Sequence, residues 1–218
     1  MQLFNHSFGT QAGSAPNTGI PTVEHQLIDK QHPLRARAEQ FIAQRFDQVH
    51  RARISVFMPV LIAVIVKDEI RAVAGIRDAS EQPLFLEHYL DQPVERAISS
   101  KAESTAGINR RRIAEIGNLA SVDRQATLKL YPLLARYLDQ HGYDWAVFTG
   151  CSSLQRMFRL LGIRTVQLGR ALQSRLPADQ QTWGSYYEDN PSVVAGKVSG
   201  GCRVLGGFST SSFGGFAA

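Results

Sequence analysis

Cysteine is scarce in this chain: Cys151 and Cys202 are the only two in 218 residues. They stand far apart, the second in a glycine-rich stretch, so a framework of structural disulfides is excluded and a reducing cytoplasm fits. Long apolar runs are missing as well. The longest, Val56 to Val66, falls far short of the roughly 20 residues a spanning helix needs and contains Pro59, so it reads as a buried strand. The first residues lack a basic start followed by an apolar core, which argues against a secretion signal. The histidines, His6, His25, His32, His50, His88 and His141, are scattered without His-x-x-x-His spacing, and Cys-x-x-Cys is absent, so no metal is expected.

Charge is lopsided but not concentrated. A net charge of +5 is compatible with nucleic acid, an anionic membrane face or an acidic carrier protein. The densest cluster, Arg110, Arg111 and Arg112, has no aromatic residues between its members to stack on bases, which argues against nucleic acid. What is present is enough for one core, since 44% of the residues are hydrophobic and only 20% charged. Composition divides the chain into a flexible leader (1–22), a single domain (23–198) and a disordered tail (199–218) of Gly, Ser and Phe.

Within the domain, Ala38, Phe41, Ile42, Arg45 and Phe46 recur at helical spacing and predict a helix over Arg35 to Val49. Ile54 to Phe57, Leu61 to Val66 and Ile70 to Ile76 read as strands, the last two a hairpin turned at Lys67-Asp68-Glu69. A helical insertion follows from Ser80 to Glu103, and then a strand, Ile113 to Leu119, with Gly117 inside it. Leu128, Tyr131, Leu134, Ala135 and Leu138 predict an amphipathic helix kinked at Pro132 and stopped by His141-Gly142. A strand from Trp145 to Thr149, a short helix capped by Ser152 or Ser153 and ended at Gly162, and a strand from Ile163 to Leu168 complete the order.

This succession resembles the GNAT type of acyltransferase, an α/β fold whose mixed central sheet is splayed by a β-bulge and flanked by helices, here with a helical insertion before the bulged strand. Three segments, Pro83 to Leu90, Ile113 to Ser121 and Trp183 to Tyr187, are similar to the thermostable hemolysin family and occur in that family's order. The resemblance implies an N-acetyltransferase-like or acyl-homoserine-lactone-synthase-like enzyme. It would move an acyl group from acyl-CoA or an acyl-phosphopantetheine carrier protein to a small amine, an amino acid among the candidates, with no permanently bound cofactor. The family name points instead to a membrane-active protein, with Phe208, Phe213 and Phe216 meeting lipid, and a non-catalytic thioester-binding module is a third reading.

Acyl transfer to an amine needs a base for the amine proton and amides facing the thioester oxygen. In a regular strand Glu115 and Asn118 point to opposite faces, and a bulge at Gly117 would bring them to one. Glu115 is then the first candidate base, with Asn118 orienting the acceptor. Amides near Gly117 to Leu119 face the thioester, and the resemblance runs Leu119, Ala120 and Ser121 beside the pantetheine arm, with Arg124 next to it. Glu87, inside the apolar run Leu84 to Leu90, is the second candidate base because an ionised carboxylate there must be paired or used. Trp183, Tyr186, Tyr187 and Thr149 are candidate pocket walls, and Cys151 is read as packing.

Two departures from the GNAT pattern stand out. Ser121 to Thr127 lacks the spaced glycines that cradle a pyrophosphate and carries Asp123, and Phe158 stands where many relatives have a tyrosine that returns a proton to the leaving thiolate. Both favour a carrier-bound donor, which Arg110 to Arg112, Arg124, Lys129 and Arg156 would meet as an acidic partner.

Overall fold

Alternation of apolar residues on the strands places one set of side chains under each face of a sheet, and the computed structural model, which describes residues 23–102, 107–178 and 182–206, has that arrangement. Its strands are β1 (Val23–Ile28), β2 (Val60–Val66), β3 (Glu69–Asp78), β4 (Ile113–Ser121), β5 (Trp145–Gly150), β6 (Thr165–Arg170) and β7 (Ser192–Lys197), in the order β1-β2-β3-β4-β5-β7-β6. All pairings are antiparallel except β4 with β5.

Helix α1 (Arg35–His50) and the insertion carrying α2 (Val94–Lys101) cover one face. There Ile42 meets Leu61 and Val73, and Leu86 and Ile98 meet Ile113 and Val147. On the second face α3 (Arg124–Gln140) and α5 (Val198–Leu205) pack on Ile62, Val64, Ala74 and Ala114. A shorter helix, α4 (Ser152–Leu160), links β5 to β6.

Three expectations change. Residues 54–57 form no strand but an irregular loop, whose flanks are tied away from the sheet: Arg35 donates to the carbonyls of Met58 and Pro59, Arg53 N–H donates to the Thr182 carbonyl, and within the loop the Val56 carbonyl accepts from Asn118 Nδ2 at 3.4 Å. The tail expected to be disordered from Ser199 is helical through Leu205, since Val198 and Leu205 are buried with α3 and Cys202 Sγ donates to the Ala135 carbonyl at 3.3 Å. The leader and the rest of the tail lie outside the described residues. Neither serine caps α4, whose N-cap is Cys151.

The feature that positions the site is in β4. Between Val73↔Ala120 and Gly75↔Gly117, β3 advances two residues while β4 advances three, so β4 carries one extra residue. Asn118 takes the distortion, in the left-handed conformation at φ 49° that asparagine tolerates better than most residues. Gly117 serves another need: a Cβ there, or at Gly75 opposite, would collide with the Met58 side chain lying across both strands. Parallel pairing of β4 with β5 ends at Ile116↔Phe148, after which β4 stays with β3 while Thr149 and Gly150 of β5 pair with β7. The sheet therefore opens between β4 and β5.

Asn118 also accepts a hydrogen bond from Met58 N–H at 2.8 Å. Asn118→Ala should lower stability by about 1–3 kcal/mol in urea denaturation, and Asn118→Gly, which keeps the backbone conformation, by less. Unchanged stability in both would contradict this account of the bulge.

Candidate functional site

A cavity of about 1000 Å³ passes through the opening and reaches both faces of the sheet. On the α1 face its walls include Met58, Arg77, Phe85, Glu115, Asn118 and Trp183, and on the α3 face Tyr131, Leu134, Leu138, Phe148, Phe158 and Leu205. Its roof on the first face is held down by segment 182–187, where Ser185 N–H donates to the His50 carbonyl and Trp183 packs on Phe46 and Phe85. Gly184, at φ 52°, is required there because a Cβ would run into the backbone of His50 and Arg51.

Glu115 lies on β4 opposite Arg77 of β3, only 3% exposed. Its Oε1 accepts from Leu86 N–H at 2.9 Å and its Oε2 from Phe85 N–H at 3.1 Å, with Arg77 Nη1 3.8 Å away. Burial pushes its pKa above the usual carboxylate range, against the partial opposition of those amides and of Arg77. Arg77 is itself mostly buried, and its Nε has no hydrogen-bond partner among the described residues. The site thus presents a proton-affine carboxylate beside an incompletely satisfied cation.

Glu87 is placed differently. Although burial acts to raise its pKa, Arg110 and the backbone amides of Val94 and Leu84 outweigh it and hold the carboxyl below its ordinary range. Arg110 grips both oxygens, at 2.6 and 2.8 Å, and also binds Glu95 and the Ala79 carbonyl. This pairing answers the cost of a carboxylate in an apolar run and pins the insertion to the sheet. It also removes Arg110 from any free basic surface, as Asp144 does Arg112 with contacts of 2.5 and 2.8 Å. Arg111, Arg124, Lys129 and Arg156 remain exposed.

Asn118 reaches the same face as Glu115, because its Oδ1 lies 3.1 Å from where a Cβ on Gly75, two residues before Arg77, would stand. Gly117 and Leu119 line the opening. Ala120 instead packs in the core under α1, and Ser121 is engaged by Thr127 Oγ1 and, through its carbonyl, by Arg45. Thr149, Trp183 and Tyr186 line the cavity, with Tyr186 OH donating to the Thr149 carbonyl at 3.2 Å. Tyr187 turns away and shares a hydrogen bond with Tyr89 OH; burial pushes it up to about 12. At the start of α3, Asp123 Oδ1 accepts from Ala126 N–H at 2.8 Å, so a carboxylate already occupies the place where a phosphate would cap that helix.

Sequence reasoning missed Met58, Arg77, the amides of Phe85 and Leu86, and the whole arm of the cavity under α3 and α5. A charged residue inside β3 was the available signal for Arg77, but only pairing across the sheet sets it against Glu115.

The chain resembles the AHL synthase LasI at a TM-score of 0.56 with 12% identity over 82% of this chain and 91% of that one. FeeM, an N-acyl amino acid synthase from uncultured soil microbes, gives 0.58 with 12% identity over 83% and 93%. The CoA-dependent acyl-homoserine lactone synthase BjaI gives 0.58 with 13% identity over 86% and 89%. At these identities the likeness establishes a shared fold, that of the AHL-synthase-type acyltransferases. No curated protein sequence matches the chain. The sequence pattern of the thermostable hemolysin family matches residues 28–202, and the chain belongs to that family.

Proposed function

We propose that this protein is an N-acyltransferase that moves an acyl group from a phosphopantetheine thioester, on CoA or on a carrier protein, to the amine of an amino acid. The observation that carries this reading is the buried Glu115 at the edge of an opening between β4 and β5. A thioester entering the opening sets its carbonyl against the distorted backbone at Gly117 to Leu119, where amides stabilise the oxyanion. The free amine nitrogen attacks the carbonyl carbon, its proton passes to Glu115, and the carbon–sulfur bond breaks to release a thiolate that takes up that proton from Glu115 through solvent, which restores the carboxylate. Burial suits Glu115 to this task because it raises the carboxylate's affinity for a proton.

Arg77 supports an amino acid as acceptor. Its cation, 3.8 Å from Glu115, lets one ligand present an amine to the carboxylate and a carboxylate to the guanidinium. Asp123 at the α3 N-terminus disfavours a CoA pyrophosphate there and supports a carrier-bound donor, for which the exposed Arg124, Lys129 and Arg156 are available.

Glu115→Gln should lower kcat by about 10²-fold or more while leaving the protein folded. Because the base acts deprotonated, the wild-type rate should climb with pH through a midpoint above the ordinary carboxylate range, and the variant should lose that limb. Full activity in Glu115→Gln would remove the base from the mechanism. Arg77→Met should raise KM for an amino acid by about tenfold and leave KM for the corresponding decarboxylated amine alone; equal effects on both acceptors would argue against carboxylate recognition.

Glu87→Gln, in contrast, should keep the pH limb and lose stability, by about 1–3 kcal/mol at neutral pH. With its folded-state pKa lowered, Glu87 contributes stability above its unfolded pKa and loses it as pH falls. Urea midpoints of wild type and variant should therefore converge on acidification; a constant gap would show that the ion pair is not its source.

A further inference from the structure

The first amides of the turn that carries Glu87 are divided between two carboxylates. In the 3-10 turn Phe85–Tyr89 the internal bonding begins with Glu87 N–H donating to the Leu84 carbonyl, which leaves the N–H groups of Leu84, Phe85 and Leu86 to find partners elsewhere. Leu84 N–H donates to Glu87 Oε2 at 2.8 Å, whereas Phe85 and Leu86 N–H donate to Glu115 at 3.1 and 2.9 Å. Three successive donors thus link the carboxylate that Arg110 grips to the carboxylate beside the opening.

Apolar contact alone does not aim those donors. Leu84 and Leu86 are buried with Ile113 and Val147, which fixes their depth, but such packing is non-directional, while a hydrogen bond weakens steeply as its angle falls. Glu87 supplies the direction. It also accepts from Val94 N–H at 2.9 Å, and Arg110 holds both its oxygens while donating from Nε to the Ala79 carbonyl at 2.7 Å. Ala79 N–H in turn donates to the carbonyl of Ile113, which opens β4 two residues before Glu115. The turn is therefore referenced to the strand that carries Glu115 itself.

We propose that Glu87, gripped by Arg110, is a positioning residue for acyl transfer: it keeps the amides of Phe85 and Leu86 aimed at Glu115 and so tunes that carboxylate as a base. The role of Glu115 rests on the proposed function, and the coupling rests on the shared amides. Among the described residues, the charged and titratable groups facing Glu115 are Arg77 of β3 and, from the turn, Glu87 and Tyr89. Burial keeps Tyr89 protonated, so it adds no charge. The two amides and Arg77 lower the proton affinity that burial raises, and the Glu87 charge, the smallest contribution, raises it. Removing that charge would by itself make Glu115 a weaker base, whereas releasing the amides makes it a stronger one. The two effects have opposite signs.

Carbon-13 NMR of the full-length protein, labelled at its glutamate side-chain carboxyls, separates them when read beside the pH profile of the rate. The Glu115 signal is assigned by its loss in Glu115→Gln. In Glu87→Gln, and in Arg110→Lys, which keeps the charge but not the bidentate grip, Glu115 should titrate about one pH unit higher than in wild type. The rising limb of the rate, which both variants keep, should move with it. An unchanged or lowered Glu115 midpoint in either variant would overturn the inference, and should one variant prove too unstable to titrate, the other decides. A wild-type rate that ignores the Glu115 midpoint would contradict the proposed function instead, with the coupling still judged by the NMR titration.

Discussion

One surplus residue in β4 governs the rest of the molecule. Because β4 spends three residues where β3 spends two, it stays in register with β3 beyond the bulge only by leaving β5. A flat ladder would have sealed that line with hydrogen bonds. The distortion is held rather than tolerated: Asn118 adopts a left-handed backbone and bonds Met58 N–H, Arg35 grips the carbonyls of Met58 and Pro59, and the Met58 side chain fits only because Gly75 and Gly117 have none. Loop 51–58 and the bulge are one structural device.

Two carboxylates of similar chemistry, buried Glu115 and partly buried Glu87, are held in different states by their surroundings. Glu87 is gripped by a bidentate arginine and by backbone amides, which stabilise its charge and make it a tether for the insertion. Glu115 receives two backbone amides and a more distant arginine, too little to offset its burial, and so keeps its appetite for a proton. The difference lies in both burial, with 4% of the Glu115 side chain exposed against 16% for Glu87, and the closeness of the arginine to each.

Much of this was legible in the order of elements, because hydrophobic periodicity reports local structure well. A glycine inside an apolar strand marked the bulge, and the parity of Glu115 and Asn118 about it anticipated their meeting on one face. The glycine's reason was different, however: it makes room for Met58, while the unusual backbone falls to its neighbour. What remained hidden was non-local. The pairing of Glu87 with Arg110, the opposition of Arg77 and Glu115, and the crossing of Met58 join segments far apart in sequence. Helix α5 was hidden by composition, since glycine and serine lower helix propensity and only burial of Val198 and Leu205 against α3 offsets that cost.

The proposed seat of the acyl donor is the opening between β4 and β5. A crystal structure with an unreactive thioether analogue of an acyl-pantetheine tests it most directly. The analogue's sulfur is expected between Gly117–Leu119 and Phe148–Cys151, with its chain inside the same cavity. An analogue bound outside this cavity, or strands found closed around an empty seam, would contradict it.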